Sequence, residues 1–360
     1  MAPDHSPRGP GAGVAKPPRP ERAGTGPQEG PPAAPGTGRP RIEAVRRRLP
    51  TTGVRCRRRG RGRVVAGLAA ADALVMLGHA WIPNRVGHLG SLVETFLPWT
   101  GLAVPPLLLC ALVRRSATAV VAVVLPALTW CSLFGGMLLD KRADGGGLTV
   151  VTHNVDEHNP HPVRTARALA ASGADVLALE ELGAATAAYE RTLAGTYPYR
   201  VVRGTVGLWS RYPVDSSRPV DIAPWPRSLR AVVRTPEGPV AVFVAHLLSV
   251  RFGATSGFTA SARDAAARRL GTALRAEPLR RTVLVGDLNG TLDDRGLSAV
   301  TSRLRSAQAE AGAGFGLTWP ASFPVARIDH ILVRGVDPRA SWTLPATGSD
   351  HLPVAARLRL

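Results

Sequence analysis

Cysteine is nearly absent: the 360 residues contain Cys56, Cys110 and Cys131, and none lies after residue 140. Residues 141–360 therefore have no disulfide framework, no thiol nucleophile and no cysteine-based zinc site. Lysine is scarcer still, with Lys16 and Lys141 alone, so arginine carries nearly all the positive charge. Aromatic residues make up only 5% of the chain. Charge of either sign is missing from Ala117 to Leu139, a run of 23 residues with no polar face, which argues against a solvent-exposed helix there.

What charge there is lies unevenly. The formal net charge is +19, but residues 1–63 hold 15 Lys+Arg against 4 Asp+Glu, and nine arginines fall within 46–63. A basic run directly before an apolar one fits membrane topology better than nucleic-acid binding. Residues 141–360 carry 27 basic and 19 acidic residues, and their tryptophans (Trp209, Trp225, Trp319, Trp342) are not clustered with arginine along the chain. That is a weak signature for a nucleic-acid groove. Residues 1–40 contain 11 Pro and 8 Gly with almost no aliphatic cluster, so the composition predicts a disordered basic tail over 1–63.

Three apolar spans follow, 64–82, 95–113 and 117–139, each near the ~20 residues that a helix needs to cross a bilayer core. Asp72 and His79 interrupt the first; Pro98, Pro105 and Pro106 lie in the second. Asp72 is expected to face another span rather than lipid. The flanks alternate: arginine-rich before the first span, one arginine (Arg85) in the loop 83–90, then Arg114-Arg115 after the second. The positive-inside rule therefore predicts a cytoplasmic N-terminus and an extracellular domain after Leu139. No small-residue cleavage site follows the first span, so it is read as an anchor rather than a signal peptide.

From Gly145 onward, short apolar runs predict strands at 148–153, 175–180, 205–210, 230–234, 239–246, 282–288, 327–333 and 353–359, with helices at 162–172, 183–194 and 259–276. Pro236-Glu237-Gly238, between two valine-rich runs, is a hairpin turn signal. Where these runs end, polar residues recur: Asn154 and Asp156, Glu181, His246, Asp287 and Asn289, Asp329, and Ser349-Asp350-His351. Taken singly, each has a duller reading. Glu180-Glu181 reads as a solvated helix start, His246 as a core histidine, and Asp287 and Asn289 as turn formers. The histidines at 153, 158 and 161 fit no compact zinc spacing. The ordered set is more specific, because strand ends hold side chains rigidly at a sheet edge where a site can assemble.

That ordered set over 146–360 resembles the endonuclease/exonuclease/phosphatase superfamily. The resemblance implies an α+β fold, a four-layered α/β sandwich catalytic domain, here preceded by three transmembrane helices. It implies Mg²⁺ as cofactor, with Mn²⁺ able to substitute, held by Glu181 with Asn154, Asp350 and Asp156 nearby. It further implies that Asp287 aligns or deprotonates the attacking water and that Asn289 contacts the phosphate. His246 and His351 would flank the scissile phosphate, with Asp329 orienting His351. Glu180 stands where the superfamily usually has glutamine. The chemistry is coherent on its own terms, since oxygen ligands suit a hard divalent cation and a carboxylate can fix an imidazole tautomer.

The combination of basic tail, three spans and this domain is similar to the VanJ-type teicoplanin-resistance membrane proteins of actinobacteria. It implies a multi-pass cell-membrane enzyme, a phosphoesterase or pyrophosphatase acting on a lipid-linked phosphorylated envelope substrate, with a link to glycopeptide antibiotic resistance. The alternatives are an extracellular Mg²⁺-dependent nuclease acting on DNA or RNA and a non-catalytic envelope scaffold.

Overall fold

The structure is a computed structural model that describes residues 62–253 and 257–360. All but the last two residues of the expected N-terminal tail (1–63) lie outside the described residues.

The first elements are helical: α1 Arg63–Gly78, α2 Leu89–Thr95, α3 Val104–Val113 and α4 Ala117–Phe134. With the 3-10 turns that extend them, Arg63–Trp81 and Ala117–Leu138 are each long and apolar enough to cross a membrane. The second predicted span is not one straight helix. Leu89–Thr95 and Leu97–Val113 pass the same test only as a pair bent by 67°. The bend lies where Pro98 opens a 3-10 segment, Leu97–Ala103, and proline cannot supply the N–H that a continuous helix needs. The Pro98 carbonyl instead accepts from Trp130 Nε1 on α4 at 2.7 Å.

Two apolar clusters fix the helix directions. Val65, Ala69, Ala111, Ala119 and Val123 pack together at one end, and Met76, Leu97 and Phe134 at the other. Hence α1 and α4 run parallel and α3 runs against them. Small residues at the first cluster let the backbones approach closely. The same end holds Arg114 and Arg115, between α3 and Ser116, and Gly62 lies against Ser116. Many outward side chains are apolar and exposed, among them Leu68, Leu74, Leu109, Leu125 and Leu128.

The rest is α+β. Strands β1 Leu148–Asn154, β2 Val176–Glu180, β3 Tyr199–Arg203, β4 Val206–Ser210, β5 Val214–Pro219, β6 Ser228–Thr235 and β7 Gly238–Ala245 come first. The two-residue β8 and β9 (Phe252–Gly253 and Gly257–Phe258) pair with each other. Then follow β10 Thr282–Asp287, β11 Arg305–Ser306, β12 Asp329–Arg334, β13 Asp337–Thr343 and β14 Val354–Arg359. The helices among them are α5 Pro162–Ala171, α6 Thr186–Leu193 and α7 Ser261–Arg275, with two short ones at Ser298–Thr301 and Ala307–Ala311. One sheet has the order β13-β14-β1-β2-β4-β3, the other β11-β12-β10-β7-β6-β5.

Side chains alternate across each strand, and the alternation builds the layers. Val150, Val176, Ala178 and Leu208 of the first sheet meet Val242, Val244, Val283, Val285 and Ile331 of the second in the central core. Val151, Leu177, Leu179 and Trp209 point outward onto Ala166, Leu169 and Leu193 of α5 and α6. Phe243, Leu284 and Leu332 point outward onto Ala267, Leu270 and Leu274 of α7. The result is helix, sheet, sheet, helix, the four-layered sandwich that the sequence predicts. The two-residue β8, β9 and β11 and the longer β3, β5 and β13 were not expected. The three longer ones are sheet edges and partly exposed, with sequences such as Val-Asp-Ser-Ser-Arg-Pro that show no apolar alternation.

Candidate active site

The parallel pairs β1–β2 and β7–β10 and the antiparallel pair β10–β12 bring strand ends to one edge of the sandwich. Asn154 ends β1, and Glu181 follows β2 directly. His246 follows β7, Asp287 ends β10, and Asp329 opens β12 in register with Asp287. Gly286 has φ +133, and a Cβ there would run into the Ala245 carbonyl, so only glycine lets β10 pass β7 just before Asp287.

Asp287 is the hub. Its Oδ1 accepts from the Asn289 backbone N–H at 2.8 Å, and its Oδ2 accepts from Asn154 Nδ2 and Asn289 Nδ2, both at 3.1 Å. His246 Nε2 lies 3.7 Å and His351 Nε2 3.9 Å from the same Oδ2. Burial pushes the Asp287 carboxyl up to about 7, with the His351 charge acting the other way. His351 donates through Nδ1 to Asp329 Oδ2 at 2.8 Å. Burial disfavours charge on His351, but the Asp329 carboxylate, as charge and as hydrogen-bond partner, carries it up to about 10. Asp329 is buried too, yet the same pairing holds its carboxyl below the usual range. His351 is therefore an imidazolium whose free nitrogen faces Asp287.

His246 differs. Burial and then the neighbouring Arg227 cation keep it well below the usual histidine range, so it is neutral. Its Nε2 lies 3.3 Å from Glu181 Oε1. Arg227 Nη2 lies 2.8 Å from its Nδ1 and 2.6 Å from its Nε2, a donor for the unprotonated ring nitrogen. Sequence reading missed Arg227, although the signal was present. The β6–β7 pairing runs back from the Pro236-Glu237-Gly238 turn, and counting outward from it puts Arg227 opposite His246.

Seven predicted residues thus come together: Asn154, Glu181, His246, Asp287, Asn289, Asp329 and His351. Asp350 sits at the rim, half exposed, with Oδ1 3.8 Å from His351 Nε2 and Oδ2 accepting from Trp319 Nε1 at 3.1 Å. Asp156 folds back on its own loop, where Oδ1 accepts from the His158 N–H at 2.9 Å. Asn154 Oδ1 is likewise used locally, by the Asp156 N–H at 3.1 Å, so its nitrogen faces Asp287. Glu180 turns inward instead: its Oε1 accepts from Thr152 Oγ1 at 2.8 Å, and burial raises its pKa well above the usual value. Thr318 also went unnoticed; its hydroxyl receives the Ile328 and Asp329 N–H groups at 3.2 and 3.3 Å and so holds the strand start in place.

A family model described as Endonuclease/Exonuclease/phosphatase family matches residues 151–351, more than half of the chain. The chain belongs to that family, whose members are metal-dependent hydrolases of phosphate esters, and it is such a hydrolase. Two solved structures share the fold. One is the endonuclease/exonuclease/phosphatase from Bacteroides vulgatus, 18% identical, with 59% of this chain and 98% of that one covered at a TM-score of 0.50. The other is D. rerio TDP2 complexed with single strand DNA product, 18% identical, with 59% and 99% covered at a TM-score of 0.50. No curated protein sequence matches the chain.

The donor set suits a divalent metal. Asp287, Asp329 and His351 bring ligand-type atoms within 4.8 Å of one another, but Asp329 and His351 already bind each other. The freer oxygens are those of Glu181, partly exposed, and of Asp350 at the rim. Burial raises the Glu181 pKa against the Asn154 hydrogen bond and the His351 charge, which lower it, so burial outweighs the partners this carboxylate has. Hard oxygens in a negative, half-open corner fit a cation that keeps several waters.

Proposed function

We propose that this family member is a membrane-anchored, Mg²⁺-dependent phosphoesterase or pyrophosphatase, with Mn²⁺ able to replace Mg²⁺. It hydrolyses a phosphate ester of a lipid-linked envelope substrate at the outer face of the cell membrane. One observation carries the reading: a continuous run of bonds from the site to the helices. Arg263, fully buried, donates to the Asn289 carbonyl at 3.0 Å and to Asp294 Oδ2 at 2.5 Å. Asp294 Oδ1 accepts from Ser91 on α2 at 3.0 Å. The next residue, Arg295, donates to Glu94 Oε1 at 2.9 Å and to the carbonyls of His79 and Ala80 at 2.7 and 2.6 Å. The loop that bears Asn289 is thus tied to the helix ends opposite Arg114 and Arg115. With the arginine-rich end inside, the positive-inside rule puts the site outside, beside the lipid headgroups.

In this reading Glu181 holds the metal, with Asp350 beside it and Asn154 positioning the neighbouring carboxylates; Asp156 would have to turn away from its loop to join. The ion would polarise phosphoryl oxygens and neutralise their charge. Asp287 Oδ2 takes a proton from the attacking water as its oxygen bonds to phosphorus, and the bond to the leaving oxygen breaks in line. Asn289, expected to contact the phosphate, has both amide hydrogens taken by Asp287 and the Leu247 carbonyl and so positions the Asp287 carboxylate instead. The His351 imidazolium, kept charged by Asp329, stabilises the developing negative charge. His246, neutral and backed by Arg227, faces the same space.

A second reading, an extracellular nuclease, has one observation in its favour. A cleft of about 590 Å³ beside His246 is lined by Trp225, Arg227 and Arg251, so the structure adds the distant Arg251 to an aromatic and an arginine that lie two residues apart in the chain. Such a surface suits a single strand, and D. rerio TDP2, which shares the fold, is complexed with single strand DNA product. The deciding assay presents full-length protein in vesicles with a polyprenyl pyrophosphate, a lipid phosphomonoester and single-stranded DNA, with and without Mg²⁺. Mg²⁺-dependent turnover of a lipid substrate supports the first reading. Salt-sensitive cleavage of DNA alone overturns it in favour of the second.

A further inference from the structure

A second cavity, of about 400 Å³, lies where the helices meet the catalytic domain. Its volume falls in the range of small-molecule sites, roughly 300–1,000 Å³. One wall comes from the helices, with Leu102, Leu133 and Met137, and the rims at Leu102 and Leu133 are exposed. The floor comes from the catalytic domain and is polar: Thr291, Gln308, Arg327 and His330, each more than nine-tenths buried, with the Asp293 carboxyl at the exposed rim, where headgroup hydroxyls can donate to it.

Every one of these floor residues has a polar atom without a hydrogen-bond partner among the described residues. Arg327 uses Nη1 on the Gly316 carbonyl at 2.8 Å, leaving Nε and Nη2 unmet. Its neighbouring acid, Asp329, is taken by His351. His330 donates through Nε2 to the Gly290 carbonyl at 2.9 Å, so its unmet Nδ1 is an acceptor. Gln308 donates through Nε2 to the Gly314 carbonyl at 2.9 Å, which fixes the amide and leaves Oε1 an unmet acceptor. Thr291 Oγ1 can serve either way. Buried polar groups are rarely left unmet in native proteins, least of all a cation.

We propose that this cavity is a binding site for one anionic glycerophospholipid with a hydroxylated headgroup, separate from the active site. The inference rests on reading the helices as membrane-embedded. The phosphate accepts from Arg327 Nε and Nη2, the bidentate geometry a guanidinium favours. Headgroup hydroxyls donate to His330 Nδ1 and Gln308 Oε1. An acyl chain leaves along Leu102 and Leu133 into the bilayer. A zwitterionic choline headgroup brings the phosphate but no hydroxyl donors, and a free phosphate leaves the apolar wall bare. The occupant would touch the segments on both sides of the catalytic residues, since Thr291 follows Asn289 by two residues, and Arg327 and His330 flank Asp329.

Native mass spectrometry of the full-length protein in detergent tests this, with phosphatidylglycerol, phosphatidylcholine and glycerol 3-phosphate as probes. One phosphatidylglycerol should be retained per chain, with phosphatidylcholine and glycerol 3-phosphate each bound at least tenfold more weakly. Arg327→Met should weaken phosphatidylglycerol by tenfold or more, the scale of a lost charged hydrogen bond. Leu133→Trp, which fills the chain path at an exposed position and spares the buried floor, should also weaken it. Equal retention of the two lipids, or unchanged retention in Leu133→Trp, overturns the site. A chain that stays in aqueous buffer without detergent overturns the membrane reading itself; a chain that needs detergent but shows no lipid preference overturns only this inference.

Discussion

Cutting the Glu94–Arg295 link should separate action at a membrane from phosphate chemistry as such. Glu94 is 1% exposed and receives Arg295 Nε and Nη2 at 2.9 Å, the Arg295 backbone N–H at 3.1 Å and His79 Nδ1 at 3.2 Å. Breaking a fully buried pair costs about 3–5 kcal/mol. Arg295 is 33% exposed, so water screens part of the attraction, and a coupling of about 2–3 kcal/mol is the fair expectation. Glu94→Ala should therefore lower the unfolding midpoint in detergent by roughly 5–10 °C, at a scale of about 2–4 °C per kcal/mol. A double-mutant cycle with Arg295→Ala isolates the coupling from lost packing. Arg263 still holds the Asn289 carbonyl in both variants, so turnover of a small soluble phosphodiester by folded protein should stay within about twofold. Turnover of a lipid substrate in vesicles should fall about tenfold, because the site is no longer fixed against the helix ends. A coupling below about 0.5 kcal/mol, or parallel loss on both substrates, would refute the argument that this bond sets the site at the membrane.

Three further outcomes follow from the same geometry. Asp287→Ala and His351→Ala should each reduce turnover by about 10²–10⁴-fold while circular dichroism stays native, because Asp287 ends β10 and His351 lies in the loop before β14, neither in the apolar clusters of the core; unchanged turnover in either folded variant rejects the assigned roles. Glu181→Gln should shift a Mg²⁺ titration of the rate to higher concentration without full recovery at saturation, since the amide keeps the size but loses the charge that holds a hard cation; overlapping curves would mean that Glu181 is no ligand and would move attention to Asp350. Alkaline phosphatase fused after Leu360 should be active in cells, and activity of a cytoplasmic reporter there instead would mean that the bent 89–113 pair does not cross.

Much of this was legible in the sequence because apolar runs at two periodicities were present. Val283-Leu284-Val285 fills both faces of a central strand, and Leu270 and Leu274 mark one side of α7, so the core strands and helices stand where the pattern put them. Edge strands were not legible, since β5 reads Val-Asp-Ser-Ser-Arg-Pro and takes its conformation from pairing with β6. The site residues were visible as polar side chains at strand ends, but their bonding was not. Nothing along the chain says that Asn154 Oδ1 is spent on Asp156, or that Asp156 turns to His158, because both depend on the local turn. Arg227 was hidden for the opposite reason, its partner lying nineteen residues away across a hairpin.

The backbone at the site explains why local rules fail there. Among the described residues five non-glycines have left-handed φ, and three of them are Asp156 (57°), Glu181 (58°) and Asn289 (46°), each one or two residues past a strand end. A non-glycine residue pays roughly 1–2 kcal/mol for that conformation. At Asn289 the cost is offset locally, because the turn lets its N–H reach Asp287 Oδ1 and its side chain reach both Asp287 Oδ2 and the Leu247 carbonyl at 3.0 Å. Asp156 gains its own turn bonds in the same way. Glu181 is offset by the Asn154 side chain and the His351 charge, yet burial still leaves the pKa of its partly exposed carboxylate, near His246, raised. A strained backbone that presents a carboxylate whose burial outweighs its partners is relieved where further positive charge meets it. Arg227 and His351 supply part of that charge, but each is hydrogen-bonded elsewhere, to His246 and to Asp329. The corner at Glu181 is therefore where a divalent cation relieves the most electrostatic cost, and the left-handed turn is what aims the ligand at it.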